Sequence, residues 1–156
     1  MPPRERSVPG TERYPYPAYN FVVSVTNIDT GATVSGSFSE MSGATAEVQV
    51  IEYRAGTDAP HPLKVRGLTK HANITLKRGV TGHFGFWSWI QRGMDGDVQR
   101  QQGYIALQDE DKQEVMRWLF KQAWPAKYTL PTLNAKNNEI AIETLELVVE
   151  DLRMDV

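Results

Sequence analysis

The chain has 156 residues, enough for one domain with its own hydrophobic core, and 17 basic and 19 acidic residues leave a net charge of -2. This near balance disfavours an extended surface for a polyanion such as nucleic acid. The chain has no cysteine, which excludes disulfides and thiolate zinc sites. It also lacks an apolar run suited to a signal-peptide core or a membrane anchor. We therefore expect a soluble protein made in the cytoplasm.

The N-terminal segment differs in composition from the rest of the chain. Residues 1–18, MPPRERSVPGTERYPYPA, hold five of the nine prolines and are otherwise mostly polar. Such a segment favours an extended or mobile strap over a core element. We expect a flexible N-terminal arm over residues 1–18 and a single domain over residues 19–156.

The first half of the domain reads as strands. Alternating residues predict strands over 19–27 and 34–40, joined by a turn at IDTG (28–31). The clearest alternation is TAEVQVIEY (45–53), which predicts a strand with Val48 and Val50 facing the core. Residues 54–68 carry two prolines and two glycines and predict a long loop, of the kind that reaches outward.

The segment GLTKHANITLKRGV (67–80) gathers Lys70, His71, Lys77 and Arg78 around the predicted strand 71–78. Such a cluster could bind nucleic acid, form a catalytic site or make an assembly surface. It could equally be an edge strand that charges protect from unwanted pairing. The residues themselves do not decide among these roles.

The second half predicts one helix and further strands. A helix over 83–94, capped by Thr81, would place Trp87 and Ile90 against a sheet. Strands are predicted over 101–109 and 114–124, with Trp118 and Phe120 in the core. The closing segment, residues 139–150, changes phase in a way that predicts a bulge near Thr144. The whole pattern predicts a mainly β domain, either a sandwich or a barrel.

No motif indicates a reaction or a cofactor. The three histidines lack metal-ligand spacing, and neither a nucleophile elbow nor a phosphate-binding loop occurs. The acidic residues near the C-terminus resemble the solvated side of a strand. The tryptophans could stack on sugars or bases, but beside Ile, Leu and Phe they are more typical of a core. We therefore expect no enzyme, no metal and no cofactor.

Four stretches together resemble the tail tube proteins of contractile phage tails and extracellular contractile injection systems. They are FSEMSGATAEVQVIEYRAG, KVRGLTKHANITLKRGVTG, WSWI and QAWPAKYTLPTLNAKNNEIAIETLELVVE. The resemblance extends from about residue 19 to residue 152. It implies two packed antiparallel sheets with one flanking α-helix, akin to the Hcp protein. It also implies six-membered rings that stack into a hollow tube, which a contracting sheath drives through a target envelope.

The resemblance further implies where copies meet. Charged residues in the long loop and the following strand would lie at subunit or ring-stacking contacts, and polar strand faces would line the lumen. The implied interface residues are Arg54, Asp58, Lys64, Arg66, Lys70, Lys77 and Arg78. The implied lumen residues are Ser35, Ser37, Ser39, Glu47 and Gln49, with Arg117 and Lys121 as weaker candidates.

The partners implied are other copies of the chain, a sheath protein, baseplate or tube-initiator and terminator proteins, and possible lumen cargo. Sequence-specific nucleic-acid binding is not expected. Two alternatives remain open: a tube-initiating baseplate paralogue that forms a single ring, and a β-sandwich binding module. The protein would act within an assembled phage tail or injection particle, either released or cell-resident.

Overall fold

The computed structural model describes residues 16–27, 33–36, 38–54, 56, 60–80, 85–136 and 138–155. Within these ranges the chain forms ten strands and one helix. The strands are β1 (Phe21–Asn27), β2 (Thr33–Gly36), β3 (Glu40–Ser42), β4 (Glu47–Tyr53), β5 (Leu63–Lys70), β6 (Ile74–Gly79), β7 (Gln101–Gln108), β8 (Glu114–Thr129), β9 (Ile142–Val148) and β10 (Asp151–Met154). The helix is α1 (Gly85–Met94), between β6 and β7.

Two antiparallel sheets share the 16-residue strand β8. In the first sheet the order is β2-β1-β7-β8, and β10 also pairs with β8. The second sheet has the order β8-β9-β6-β3. The predicted mainly β architecture with two antiparallel sheets and one flanking helix is confirmed. Among the described residues neither sheet closes into a barrel.

Strand β8 changes sheets at a bend in its middle. Residues up to Ala123 pair with β7, and residues from Trp124 onward pair with β9. Gln122 takes a positive φ of 54° at this point, and the pairing with β9 shifts between Pro125 and Lys127. A proline is tolerated inside a sheet at such a bulge, since its missing N–H is not needed there. The bend lets one strand serve both sheets.

The core lies between the two sheets and is closed by the helix. The first sheet contributes alternate residues of its central strands, and the second contributes the matching positions of β6 and β9, as strand periodicity requires. The buried side chains of this core include Val23, Val25, Ile105, Phe120, Ile74, Leu76, Leu145 and Leu147. Trp89 of α1 joins them, and its indole N–H donates a hydrogen bond of 2.8 Å to the Gln99 carbonyl.

The core predictions for the helix and for β8 are only partly correct. Phe120 is buried as predicted, with 1% exposure, and Trp118 and Ile90 are half-buried. The core prediction for Trp87 is wrong, because this ring is 41% exposed. It packs edge-on against Tyr128, with 5.3 Å between ring centroids, while Trp89 points into the core. The helix is therefore rotated relative to the face predicted from residues 87, 90 and 94.

Several element boundaries also differ from the predictions. The prediction of a long loop at 54–68 is wrong for its second half, because β5 begins at Leu63. Both prolines of the segment precede this strand. The bulge predicted near Thr144 is wrong as well: β9 pairs without interruption with β6, and the irregularity lies in β8. The predicted turn at 28–31, the helix cap at Thr81 and arm residues 1–15 lie outside the described residues.

Gly103 is a position where the packing excludes a larger side chain. A Cβ atom there would lie 2.2 Å from the Ser24 carbonyl oxygen and 2.6 Å from Cζ of Phe120. We expect Gly103→Ala to lower the free energy of unfolding by about 1–3 kcal/mol, because β1 or the Phe120 ring must shift. Urea unfolding measures this, with Gly93→Ala as control, since nothing lies within 4 Å of a Cβ at that position. Equal stability of the two variants would contradict the close approach.

Candidate assembly surface

Strands β4 and β5 form a two-stranded hairpin that pairs with neither main sheet. All seven residues of β4 are exposed, and so is every residue of β5 except Gly67. An isolated hairpin is only marginally stable in water, so it needs a partner surface or a firm anchor. The hairpin is therefore the feature of the described chain that most clearly lacks a covering layer.

Residues at the base of the hairpin fix it to the body of the protein. Thr45, just before β4, accepts a hydrogen bond of 3.2 Å from the Ala72 amide through its hydroxyl. Nδ1 of His71 lies 3.1 Å from the Thr45 carbonyl oxygen, and its Nε2 lies 3.9 Å from Asp151. The two chain segments that leave the body are thus tied together where the hairpin starts.

The outer part of the hairpin has an apolar face. Ile51 lies opposite Val65, and Tyr53 lies opposite Leu63, with all four side chains between 51% and 58% exposed. Because residues two apart share a face, the two pairs form one continuous patch. Large exposed apolar patches in soluble proteins mark contact surfaces.

The opposite face of the hairpin is mixed. Glu52 lies opposite Lys64, and Val50 lies opposite Arg66, so charges of opposite sign and an exposed aliphatic side chain alternate. The prediction that Val48 and Val50 belong to the core is wrong, since they are 49% and 63% exposed. Their alternation is genuine, but no sheet of the same chain packs over it.

Six of the seven predicted interface residues fall into three groups. Arg54, Lys64, Arg66 and Lys70 are exposed and lie along the hairpin or at its end. Asp58 lies outside the described residues. Lys77 is partly exposed and forms a salt bridge of 3.6 Å with Glu40 of the adjacent strand β3. The interface role of these residues stays a prediction.

Arg78 requires a correction, because it is buried and not at a surface contact. It is 6% exposed, and its Nε donates a hydrogen bond to Glu143, the residue directly opposite on β9. The Tyr128 hydroxyl donates to the other carboxylate oxygen of Glu143. The Arg78 guanidinium carbon also lies 5.9 Å from the centre of the Phe38 ring. Its charge is satisfied within its own chain.

The environment of Tyr128 gives a testable pH dependence. Burial, and then the hydrogen bond to Glu143, raise its pKa from 10.0 to about 12. Because the folded-state pKa is the higher one, the stabilisation is complete below about pH 10 and is lost as the pH rises through about 12. We expect urea unfolding between about pH 9 and pH 12 to show a steeper loss of stability for the native chain than for Tyr128→Phe. Parallel losses in the two proteins would contradict this role.

The predicted lumen residues do not form one surface within a chain. Ser35 lies in the sheet strand β2, whereas Glu47 and Gln49 lie on the hairpin. Ser39 is exposed and donates a hydrogen bond of 3.1 Å to the Lys77 carbonyl, and Ser37 lies outside the described residues. Arg117, a weaker candidate, pairs with Glu114 and lies 4.0 Å from the centre of the Tyr104 ring, while Lys121 is exposed. Their place in a lumen stays a prediction.

Sequence reasoning missed two groups of exposed apolar residues. The first group is Leu63, Val65 and Leu68 of β5. The neighbouring prolines and glycine indicated a loop, although apolar residues at this frequency are typical of a strand. A second group lies in or beside the connection from β8 to β9, where side chains are between 69% and 82% exposed. These are Leu130, Leu133 and Ile140.

The described part of the chain shows no cluster of three or more His, Cys, Asp or Glu side chains that could hold a metal ion. In the same part, no helix has the length and apolar character needed to span a bilayer.

Solved structures with the same fold include chains of an extracellular contractile injection system. A chain of the PVC extracellular contractile injection system, from its sheath–tube complex in the extended state, is 29% identical over 91% of this chain and 92% of its own, with a TM-score of 0.79. A chain of the anti-feeding prophage baseplate has a TM-score of 0.83 and 24% identity, covering 92% and 97%. An Hcp protein shares the fold at a TM-score of 0.55 and 9% identity, covering 86% and 97%.

The two sheets, the flanking helix and these likenesses define a tail-tube-like protein of the Hcp-like fold class. Residues 17–153 match the family described as T4-like virus tail tube protein gp19. The chain belongs to this family of structural tail tube proteins. A comparison with curated protein sequences gave no match.

Proposed function

We propose that the protein is the repeating subunit of the inner tube of a contractile injection system or contractile phage tail. Six copies form a ring, and rings stack into a hollow tube that sheath contraction drives through a target envelope. The observation that carries this proposal is the hairpin of β4 and β5, which exposes seven large apolar side chains on one arm. A second copy of the chain is the partner that would bury them.

The strand edges support the same proposal. Among the described strands, β2 and β3 each lie at the end of the sheet order and pair on one side only. Their free main-chain groups can pair with a strand of a neighbouring copy, which removes an open edge that would otherwise favour aggregation. Repetition of such a heterologous contact closes a ring when the rotation between copies is a simple fraction of a turn.

The protein would act mechanically and without catalysis. Its other partners would be a sheath protein around the tube, baseplate or initiator proteins at one end and a terminator at the other. The chain from the PVC sheath–tube complex, at 29% identity, supports a place in such a particle. We expect synthesis in the cytoplasm and function in the assembled particle, with any cargo held in the lumen.

Negative-stain electron microscopy at several protein concentrations, with light scattering in parallel, tests this function. Stacked six-membered rings that lengthen with concentration are the expected result. Single rings that never lengthen would show a tube-initiating paralogue, and a monomer at every concentration would overturn the assembly proposal. The hairpin side chains would then be free to bind a different partner.

A further inference from the structure

An open apolar groove lies between β3 and the first sheet. Its larger compartment, about 460 Å³, is lined by Phe21 of β1, Leu107 of β7 and Trp118 of β8, with Met41 of β3 opposite. A second compartment of about 240 Å³ shares Met41 and Trp118 and ends at Leu152 of β10. Because the two compartments share these walls, they form one continuous groove.

The groove is an unfinished part of the core. Phe21, Met41, Trp118 and Leu152 pack against the buried cluster on one side and are only half-buried on the other. Closing such a surface is favourable by about 25 cal/mol for each Å² of apolar area removed from water. The groove therefore favours an occupant that can lie along a sheet and place apolar side chains, such as proline rings, against these walls.

The chain itself leads into the mouth of this groove. Tyr16 and Ala18 contribute to its wall, so residues 1–15 join the described structure at the groove. That segment carries prolines at positions 2, 3, 9 and 15. Proline-rich segments adopt an extended polyproline II conformation and dock in grooves lined by aromatic side chains. The groove offers Tyr16, Phe21 and Trp118.

We propose that the groove is the docking site for the proline-rich segment 1–15 of the same chain. Fifteen residues would reach about 45 Å if they were extended as polyproline II, which is ample for a return over the groove. A short tether raises the local concentration of the segment to the order of millimolar, and prolines reduce the entropy lost on docking. Own-chain docking is therefore favoured over a segment or hairpin from a second copy.

Disulfide cross-linking tests this inference cleanly, because the chain has no cysteine of its own. Ser7→Cys places one thiol in the segment, and Glu40→Cys places the other at an exposed position on the groove wall. The matched control pairs Ser7→Cys with Gln91→Cys, an exposed position on α1 that takes no part in the groove. Each full-length variant is oxidised mildly, and non-reducing electrophoresis with thiol counting then gives the rate of disulfide formation.

The expected result is an intrachain disulfide that forms at a rate independent of protein concentration and about tenfold faster in the groove pair than in the control pair. Equal rates in the two pairs would overturn the proposal, because they would show a tethered but undocked segment. Disulfide-linked dimers as the main product would also overturn it, because they would assign the groove to a second copy. Ser39→Cys, another exposed groove position, replaces Glu40→Cys if that variant folds poorly.

Discussion

Replacing Ile51 and Leu63 together by aspartate is expected to leave a folded monomer that forms neither rings nor tubes. Both side chains are more than half exposed on the same face of the hairpin, so the fold of the single chain does not depend on their burial. In an assembled tube they would be covered, where each large apolar side chain is worth about 1.5–3 kcal/mol. A charge at that place adds a desolvation cost in every subunit. Electron microscopy and light scattering measure assembly, and circular dichroism checks the fold.

The matched control adds the same two negative charges elsewhere, as Ser88→Asp and Gln91→Asp on the exposed side of α1. This variant is expected to assemble, which separates a local effect of the hairpin from a general effect of net charge. Normal tubes from the Ile51→Asp, Leu63→Asp variant would contradict the assignment of the hairpin as the contact arm.

Removing the carboxylate at the centre of the buried network is expected to cause a large loss of stability. Glu143→Ala removes the carboxylate that accepts from the Arg78 guanidinium, whose side chain is 7% exposed, and from the Tyr128 hydroxyl. Breaking a buried ion pair from one side costs about 3–5 kcal/mol, because the remaining charge stays desolvated. Urea unfolding of the monomeric protein measures this loss.

An exposed ion pair provides the comparison. Asp97→Ala breaks the salt bridge of 2.8 Å to Arg92, in which both side chains are about half exposed. The expected loss in the free energy of unfolding is less than about 1 kcal/mol. Replacing both buried partners, as Arg78→Met with Glu143→Leu, is expected to restore much of the loss, since no unpaired charge remains. The buried network would be refuted as a stabilising unit if Glu143→Ala cost no more than Asp97→Ala.

The cations of residues 67–80 thus have different roles despite their closeness in sequence. Lys70 lies opposite Glu47 at the base of the hairpin, and Lys77 bridges to Glu40 on a neighbouring strand. Arg78 is a core residue with its own carboxylate. A charge reversal at Lys77 alone therefore tests a surface contact, whereas a reversal at Arg78 tests folding.

The alternation of apolar and polar residues was sufficient to predict most strands, because the two-residue period of a strand is visible in a single sequence. It could not predict which surface covers a strand: Val48 and Val50 alternate as a half-buried strand does, yet they lie on the hairpin. The prolines and Gly67 made β5 look like a loop. The prolines lie just before the strand, however, and Gly67 lies inside it without ending it. Gly67 lies where the pairing with β4 shifts, a position that single-sequence patterns do not reveal.

The buried network left a partial signal in the sequence. Arg78 is in phase with the buried Ile74 and Leu76, and Glu143 is in phase with Leu145 and Leu147. Each charge therefore lies on an inward face, which could have been noticed. What the sequence does not contain is the register that places the two charges opposite each other, because this depends on how β6 and β9 align.

Strand β8 has a consequence for how the protein comes apart. The first half of β8 pairs with β7, and the second half pairs with β9. If either sheet opens, β8 loses hydrogen bonds that keep it in place for the other sheet. The two sheets should consequently open as one cooperative unit, with the slowest amide hydrogen exchange along β8. The hairpin shares no strand with that unit and should exchange much faster. In the proposed tube, the two sheets would form a wall that resists sudden axial load, and the hairpin would remain able to rearrange while the next copy binds.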